Sequence, residues 1–491
     1  MLHSRHLLAG AVLLSLGAAA CSDNSQPSAP DAVAGTPAKA AARASEPTND
    51  FILILPEAVA VSPTLKRDVA AAGGTLLDVK PELGLAYANS TAPDFQAKAA
   101  KIKGVQHAVR DLLVQWTDPN TRFESIEAEA SGGFDASAIH GSTESFWNAQ
   151  WNATAIHAPD AWDAGYRGRG ARVAVIDGGF HNVHVDLDAN IDVARSRSFV
   201  PGFAYNQDVG TFWHGTHVAG IVAAEVNGLG TAGIAPEATI IGLKALHNGS
   251  GSFEAVIDAI FYAANPIAQG GAGAHIINMS LGAILPKQGN EGTIQLLVAL
   301  SRATSYARKQ GLLVIAAAGN EGLDLDHIQN VVSVPAEAVG VVNVSALGPM
   351  GLYVAGNSTS VDRLASYSNF GQSSISLGAP GGDFALPGNA VCSVARIPSG
   401  TLAQLCWAMD MVLSTSRGTG ASISSYTWAA GTSMAAPAVA GVAALIVGKY
   451  GPMDPAQLEA KLRSSSDDLG KPGRDDAYGH GRVNAYRAVT E

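Results

Sequence analysis

Basic residues are fewer than acidic residues in this chain. Its 491 residues include 31 lysines and arginines against 42 aspartates and glutamates, which gives a formal net charge of −11. Because the chain has no basic excess with which to neutralise phosphates, we expect no nucleic-acid binding. Charged residues are few, at 15%, whereas hydrophobic residues reach 47% and glycine occupies 54 positions. This balance is typical of a turn-rich globular protein and fits an α/β fold with an apolar parallel sheet.

Cysteine is also scarce, with three positions in all. Cys392 and Cys406 lie fourteen residues apart, and in an exported protein such an isolated pair predicts one local disulfide. Two buried free thiols are the alternative. No histidine or cysteine cluster of ligand spacing surrounds the pair, so metal binding there is not expected.

Long apolar runs are missing except at the start of the chain. The run from Leu7 to Ala20 follows Arg5 and is too short to span a bilayer, so residues 1–20 predict an export signal that is removed. Three alanines directly before Cys21 resemble a bacterial lipobox. Lipidation of Cys21, simple cleavage with release, and a stray thiol inside a discarded signal remain open. We therefore expect a secreted protein or a cell-envelope lipoprotein, with an acyl chain as its only membrane anchor.

The N-terminal quarter predicts a small domain between two linkers. Residues 21–48 and 119–146 are polar or rich in small residues, and they predict flexible segments, the second open to proteolytic nicking. Residues 49–118 alternate apolar and helical stretches in the order βαββαβ, the ferredoxin-like split arrangement. Strands are expected at 51–55, 74–79, 83–88 and 108–116, with helices at 65–72 and 94–103. Alone, such a domain fits a binding module or an inert spacer.

The remaining chain predicts one large α/β domain, consistent with a total length that exceeds one ordinary core. Apolar strands alternate with helices of ten residues or more, which argues for a parallel sheet covered on both faces. Catalytic groups are then expected at the carboxyl ends of the strands. The segment 382–424 is rich in Gly, Ser and Thr and predicts a surface insertion. Strands are expected at 172–176, 239–244, 275–279, 312–317 and 341–344, and helices at 218–224, 253–264, 293–310 and 437–449.

Three motifs carry chemistry. Val173-Ala-Val-Ile-Asp177-Gly-Gly ends a buried strand in an acid, and His214-Gly-Thr-His-Val-Ala-Gly220 places a histidine at a helix start. Gly431-Thr-Ser433-Met-Ala-Ala-Pro437 places a serine at another helix start. Singly, each fits a helix cap or a satisfied core histidine. Together, in the order Asp, His, Ser, they resemble the subtilisin family of serine proteases.

The resemblance covers about 147–488 and implies a subtilisin-like three-layer fold, with a peptidase domain at 147–489. It implies that residues 49–118 are a propeptide that inhibits its own enzyme. Ser433 is the expected nucleophile, His214 its base and Asp177 the group that orients the imidazole, so that peptide bonds are hydrolysed through an acyl-enzyme. A catalytically silent binding or scaffold protein is the alternative. An α/β-hydrolase esterase is disfavoured because the chain lacks G-x-S-x-G around the serine.

The same resemblance assigns the residues around the reacting bond. Asn320 matches the oxyanion-hole asparagine, which acts with the backbone N–H of Ser433. The segment after the strand at 275–279 matches the one that pairs with extended substrate, and nearby small residues match the walls of the specificity pocket. The substrate-binding residues are expected to be Ser280, Leu281, Gly282, Ala317 and Gly319. The partners expected are extended polypeptides and the chain's own propeptide, with the enzyme a monomer.

Calcium is expected as a structural ion, and the chemistry itself needs no cofactor. Asp186 lies nine residues after Asp177 and Asn227 thirteen after His214, spacings that match a family calcium site. Its other ligands are expected from the carbonyls of Glu225, Leu229 and Thr231, an oxygen set that suits Ca²⁺. Gln150 is a further candidate. Turn-forming Asp and Asn side chains are the alternative. His217 is expected to be structural, because His-x-x-His without an intervening Glu is not a zinc motif.

Overall fold

The computed structural model describes residues 45–57, 60–117, 123–127, 143–210, 212–287, 291–418 and 424–491. The predicted signal peptide, Cys21 and most of the two predicted linkers lie outside these residues.

The small N-terminal domain has the predicted βαββαβ order, but its second helix is shorter than the predicted 94–103. Its four strands form an antiparallel sheet in the order β2-β3-β1-β4, which is the ferredoxin-like arrangement. The strands and helices are β1 (Ser45–Ile54), α1 (Leu65–Ala71), β2 (Thr75–Lys80), β3 (Leu85–Asn89), α2 (Phe95–Ala99) and β4 (His107–Gln115). Side chains of β1 alternate between two cores, because successive residues of a strand point to opposite faces. Phe51 and Leu53 pack under the domain's own helices, whereas Ile52 and Ile54 face the larger domain.

Strand β1 begins earlier than expected, which corrects the boundary at 48. Residues 45–47 pair with residues 112–114 of β4, and a bulge separates this stretch from the apolar run that starts at Phe51. The polar composition of 45–49 predicts a linker, but pairing with β4 supplies backbone hydrogen bonds that do not depend on apolar side chains.

The larger domain is organised around a seven-stranded parallel sheet, ordered β15-β14-β12-β10-β6-β8-β7. The strands are β6 (Arg172–Asp177), β7 (Arg197–Ser198), β8 (Thr239–Lys244), β10 (Ile276–Met279), β12 (Leu313–Ala317), β14 (Val341–Leu347) and β15 (Leu377–Pro380). Both faces are buried: along β6, Val173 and Val175 belong to one core, and Ala174 and Ile176 to the other.

Helices cover both faces of this sheet, which confirms the three-layer prediction. After α3 (Trp151–Ala155) and α4 (Ala158–Asp163) come α5 (His214–Ala223), α6 (Phe253–Ala264), α7 (Glu291–Lys309), α8 (Cys406–Met409), α9 (Thr432–Tyr450), α10 (Pro455–Ser464) and α11 (Ala485–Thr490). Helices α5 and α9 pack in one core, and α6 and α7 in the other. Within the described residues, α9 alone is long and apolar enough to cross a membrane, which corrects the expectation that long apolar runs occur only at the start of the chain. The helix lies mostly buried in the core.

The N-terminal domain packs on helices α6 and α7. Ile52, Tyr87 and Val109 share an apolar cluster with Phe253 of α6. Arg302 of α7 donates hydrogen bonds to the carbonyl oxygens of Leu55, at 2.7 Å, and Gly84, at 2.8 Å. Strand β4 also pairs with a short strand of the larger domain, β9 (Ser250–Ser252), which forms the fifth strand of the N-terminal sheet.

The segment 382–424 is a surface insertion only in part. The hairpin of β16 (Val391–Ala395) and β17 (Thr401–Leu405) has exposed positions such as Val391, whereas β18 (Val412–Ser416) is buried throughout. Strand β18 pairs with β19 (Ser425–Ala429), which in turn pairs with β5 (Phe123–Glu127). A second small ladder joins β11 (Ala283–Pro286) to β13 (Val331–Val334).

Candidate active site

Asp177 is the last residue of β6, at the carboxyl end of a central strand, where catalytic groups were expected. Its carboxylate is fully buried and accepts a hydrogen bond of 2.6 Å from the backbone N–H of Gly178. Both carboxylate oxygens lie 2.9 Å from Nδ1 of His214. The glycine after the histidine is required here, because a Cβ on Gly215 would lie 2.9 Å from the carbonyl oxygen of Gly179.

His214 is the first residue of α5, and its side chain is only 12% exposed. With Nδ1 engaged by the aspartate, the ring directs Nε2 outward. The ring of Phe212 lies edge-on to that of His214, at 6.0 Å between ring centroids. His217, one turn further, is buried and bonds through Nε2 to the carbonyl oxygen of Thr427 at 2.8 Å. Burial lowers the pKa of His217 to about 3, which suits a neutral structural side chain.

Ser433 lies in the first turn of α9, opposite the end of β10. Its hydroxyl donates to the carbonyl oxygen of Ser280 at 3.1 Å, and the Ser280 hydroxyl donates back to the Ser433 carbonyl oxygen at 2.7 Å. The serine is therefore held against the strand end that was expected to bind substrate. Its hydroxyl must turn from Ser280 to reach the imidazole, as is common in enzymes without bound substrate.

Asn320 is oriented by the residue beside the serine. Its Oδ1 accepts from the backbone N–H of Thr432 at 2.9 Å and from the Thr432 hydroxyl at 2.8 Å. These two donors fix the amide so that Nδ2 points the other way. A Cβ built on Gly431 would lie 3.4 Å from Asn320 Nδ2 and 3.6 Å from the backbone nitrogen of Ser433. Two N–H donors thus flank one small space next to the serine.

The predicted substrate residues divide into two groups. Ser280, Leu281 and Gly282 follow β10, and the N–H of Gly282 donates to the carbonyl oxygen of Trp116 in the N-terminal domain at 2.9 Å. Gly282 also faces the end of β12, since a Cβ there would lie 3.9 Å from the Ala317 carbonyl oxygen. Gly319 has φ of +104°, and a Cβ there would lie 2.4 Å from the Asn369 side chain. Glycine is therefore required at 319 by backbone geometry as well as by space.

The amide side chains proposed for calcium are turned toward the backbone. Asn227 accepts from the N–H of Leu229 at 2.9 Å and donates to the carbonyl oxygen of Val185 at 2.9 Å. Gln150 makes both of its hydrogen bonds with the backbone of Ala232. The Glu225 side chain accepts from the N–H of Ala189.

Two buried carboxylates stand at this loop. Asp186 accepts from the N–H of Thr231 at 3.0 Å, and Glu144 accepts from the N–H of Gly228 at 3.1 Å. The second oxygen of each carboxylate, and the Thr231 hydroxyl, are buried without a partner. Burial raises the pKa of both carboxyls to about 8, and for Glu144 the neighbouring Asp186 adds to the rise. Hard oxygen donors of this kind fit Ca²⁺, and Glu144 is a candidate ligand that the sequence analysis did not name.

Cys392 and Cys406 form a disulfide with a Cα–Cα distance of 4.9 Å. It joins β16 to the start of α8 and closes the exposed hairpin.

Sequence reasoning also missed residues outside the motifs. Phe212 lies two residues before His214, and its only signal was an aromatic pair directly upstream of the histidine motif. Trp116 is 1% exposed, and its indole N–H donates to the carbonyl oxygen of Gly251 at 2.8 Å. Glu144 lies in a Gly/Ser-rich stretch, and no motif in the sequence indicates a role for it.

An acid–histidine pair and a serine at a helix start lie at the carboxyl ends of a parallel sheet. This arrangement is that of a serine hydrolase. The sequence model of the Subtilase family matches residues 168–481, and the chain belongs to that family. This confirms the resemblance read from the three motifs, and the chain is a serine endopeptidase.

Known relatives cover most of the chain. It is 33% identical over 335 residues to "Subtilisin DY" of Bacillus licheniformis, an alignment that covers 68% of this chain and 96% of the relative. It is 32% identical over 346 residues to "Thermitase" of Thermoactinomyces vulgaris, which covers 70% and 97%. The fold resembles the solved structure of an epidermin leader peptide processing serine protease from Staphylococcus aureus, with a TM-score of 0.65 and 22% identity over 91% of this chain and 100% of the other.

Proposed function

We propose that this chain is an exported endopeptidase that cuts peptide bonds through an acyl-enzyme on Ser433. The observation that carries the proposal is the bifurcated contact of His214 Nδ1 with the buried Asp177, which fixes the imidazole tautomer. Nε2 is then free to take the serine proton. The Ser433 oxygen attacks the substrate carbonyl, and the imidazolium returns the proton to the departing amine. A water molecule, deprotonated by His214, then attacks the acyl-enzyme ester. The carboxylic acid product leaves, and Ser433 regains its proton.

The oxyanion formed on attack is stabilised by donors already in place. Asn320 Nδ2 and the Ser433 N–H converge on the space beside Gly431. Because Thr432 holds the asparagine before any substrate arrives, no reorganisation is needed when charge develops. The extended substrate pairs with Gly282 on one side and with β9 on the other by strand addition.

We propose further that residues 49–118 act as the inhibitor of the same chain. Strand β4 pairs antiparallel with β9, and Trp116 accepts from Gly282, so the end of the N-terminal domain lies where an extended substrate is expected. The chain is then a precursor, cut by its own active site in the 119–146 region. Export follows from the apolar segment 1–20 and from relatives such as the "Minor extracellular protease Epr" of Bacillus subtilis.

The test is active-site labelling of purified protein. A fluorophosphonate probe reacts with an activated serine, so we expect wild type to be labelled on Ser433 and to hydrolyse casein. Ser433→Ala loses both signals, whereas Ser301→Ala, a serine on α7 away from the triad, retains both. Labelling of Ser433→Ala at the wild-type rate, with casein hydrolysis intact, contradicts the assignment.

A further inference from the structure

A lysine is buried behind the catalytic acid. Lys244 is the last residue of β8, and in the parallel register of the sheet it lies opposite Asp177, the last residue of β6. Its side chain is fully buried, and its ammonium group donates a hydrogen bond of 2.6 Å to the carbonyl oxygen of Leu246. A single carbonyl oxygen does not compensate a buried unit charge, so nearby carboxylates are needed to stabilise the ammonium.

The backbone around Lys244 is tied to that of Asp177. The carbonyl oxygen of Asp177 accepts from the N–H groups of Ala245, at 2.9 Å, and Leu246, at 3.1 Å. The residue that receives the ammonium is therefore itself bonded to the catalytic acid. Burial lowers the pKa of Lys244, and the negative charges of Asp208 and Asp177 oppose that change. The ammonium thus lies within the electrostatic reach of both carboxylates.

Asp208 joins two loops next to the catalytic acid. Its Oδ2 accepts from the backbone N–H of Gly179, two residues after Asp177, at 2.8 Å, and its Oδ1 accepts from that of Asn248 at 3.1 Å. The side chain is only 9% exposed. Glycine is required beside it, since a Cβ on Gly178 would lie 2.3 Å from Asp208 Oδ2. Asp208 therefore holds the loop after β6 against the loop after β8.

Two further histidines face this network and are neutral at pH 7. Nδ1 of His247 lies 3.7 Å from Oδ1 of Asp208. Burial and the neighbouring Lys244 lower the pKa of His247, and burial lowers the pKa of His217 to about 3. The charges of the network are then those of one ammonium, on Lys244, and two carboxylates, on Asp177 and Asp208.

We propose that Lys244 and Asp208 are positioning residues of the catalytic acid and histidine, which hold Asp177 in place and, by their opposite charges, balance the neutral and protonated forms of His214. The proposal rests on the endopeptidase function proposed above and deepens it. The ammonium disfavours a second positive charge on His214, so it keeps the imidazole neutral and able to accept the serine proton. Asp208 acts in the other direction and fixes the loop after Asp177.

The experiment measures kcat/KM of the processed enzyme on a short peptide anilide along the acid limb of the pH profile, which reports the base of the free enzyme. Lys244→Met removes the positive charge, so His214 is protonated more readily and the limb is expected to move to higher pH by about half a unit. Asp208→Asn removes a negative charge at constant size, and the limb is expected to move to lower pH. Loosening of the structure alone lowers kcat in both variants without opposite shifts.

Three further variants control for side-chain size and for general destabilisation. Lys244→Arg keeps the charge and is expected to keep the wild-type limb, and the limb of the double variant Lys244→Met, Asp208→Asn is expected close to it. Lys449→Met is the matched control, because Lys449 also donates to a backbone carbonyl, that of Val489, but lies at the far end of α9 from Ser433. A limb that shifts in the same direction in Lys244→Met and Asp208→Asn, or equally in Lys449→Met, overturns the inference. If Lys244→Met fails to fold, the shift in Asp208→Asn decides.

A second measurement does not depend on activity. In the full chain with Ser433→Ala, the proton between His214 Nδ1 and Asp177 is followed by NMR as the pH is lowered. We expect its titration midpoint to rise with Lys244→Met and to fall with Asp208→Asn. Equal midpoints in all three proteins overturn the inference. Inactivity of wild type on the anilide contradicts the endopeptidase function alone, and the NMR titration still decides the roles of Lys244 and Asp208.

Discussion

At the residue scale, the direction of the oxyanion donor, Nδ2 of Asn320, is fixed by the hydrogen bonds of the other amide atom, Oδ1. Asn320 Oδ1 is held by both donors of Thr432, which leaves Nδ2 no choice of direction. Sequence reasoning could name Asn320 from its motif, but the role of Thr432 as the group that orients it could not be read, since the two residues lie far apart along the chain.

Asn320→Ala is expected to lower kcat by about 10²–10³-fold with little change in KM, because the donor acts mainly on the charged intermediate. This magnitude is the one established for the corresponding donor of subtilisin, a relative, and is borrowed from it. Steady-state kinetics on a peptide anilide provide the measurement. Asn320→Asp keeps the acceptor for Thr432, so its melting temperature should stay near that of wild type while kcat falls. A change confined to KM contradicts an oxyanion role.

The calcium prediction now includes Glu144. If its unpartnered oxygen and that of Asp186 bind the ion, excess calcium raises the melting temperature of mature enzyme relative to chelator. The stabilisation is about 2.7 kcal/mol at a free concentration one hundred times Kd. Glu144→Gln should remove most of the shift, whereas Glu237→Gln, at an exposed pair with Arg169, should not. A calcium shift of equal size in Glu144→Gln excludes Glu144 as a ligand.

At the element scale, the histidine helix is held close to β18 by hydroxyl groups. Ser414 donates to the carbonyl oxygen of His217 and Thr415 to that of Thr216, both at 2.9 Å. These hydrogen bonds explain why the composition of 382–424 wrongly predicted a surface insertion along its whole length. A strand rich in Ser and Thr predicts a surface, but here its hydroxyls are paired with the backbone of α5 and so can be buried.

Gly220 makes that close approach possible, and Gly220→Ala tests it. A Cβ there would lie 2.1 Å from the Thr415 hydroxyl oxygen. Overpacking of this kind costs about 1–3 kcal/mol, and because α5 begins at His214 we expect kcat to fall together with the melting temperature. The double variant Gly220→Ala, Thr415→Ala should lose less than the sum of the two single changes. Additive losses contradict a direct clash.

The parallel strands, in contrast, were predictable to within a few residues. Their apolar runs are continuous because both faces of the sheet are covered, as along β6. The start of β1 was missed because residues 45–47 are held by backbone pairing with β4, which leaves no mark in composition. Strand β5 was missed for the same reason.

At the scale of the whole molecule, the contact between the two domains contains a cluster of acids. Asp111 of β4 accepts from the N–H groups of Phe253 and Glu254 at the start of α6. Burial raises the pKa of Asp111 to about 6 and that of Glu254 to about 8, and also raises the pKa of Asp258. The remaining groups that face the cluster are Asp50, Asp78, Lys80 and Tyr87.

Inhibition by the separate N-terminal domain is therefore expected to weaken as pH rises. Acids whose pKa is raised in the complex are protonated there more readily than when apart, so association takes up protons and is favoured at low pH. The inhibition constant should rise between about pH 4 and pH 8, by up to about tenfold per pH unit for each proton. It is measured by titrating residues 45–118 into mature enzyme. Asp111→Asn should reduce the dependence of the inhibition constant on pH. An inhibition constant that falls as pH rises contradicts the prediction.

The intact mass of the purified chain, expressed as wild type and as Ser433→Ala, tests the central claim most directly. If Ser433 is the nucleophile and the chain processes itself, wild type should lose the N-terminal domain and begin within residues 119–146. Ser433→Ala should keep the N-terminal domain joined to the peptidase domain, with only the export signal removed. A Ser433→Ala protein that cuts itself at the same bond and rate as wild type would show that another group carries the reaction.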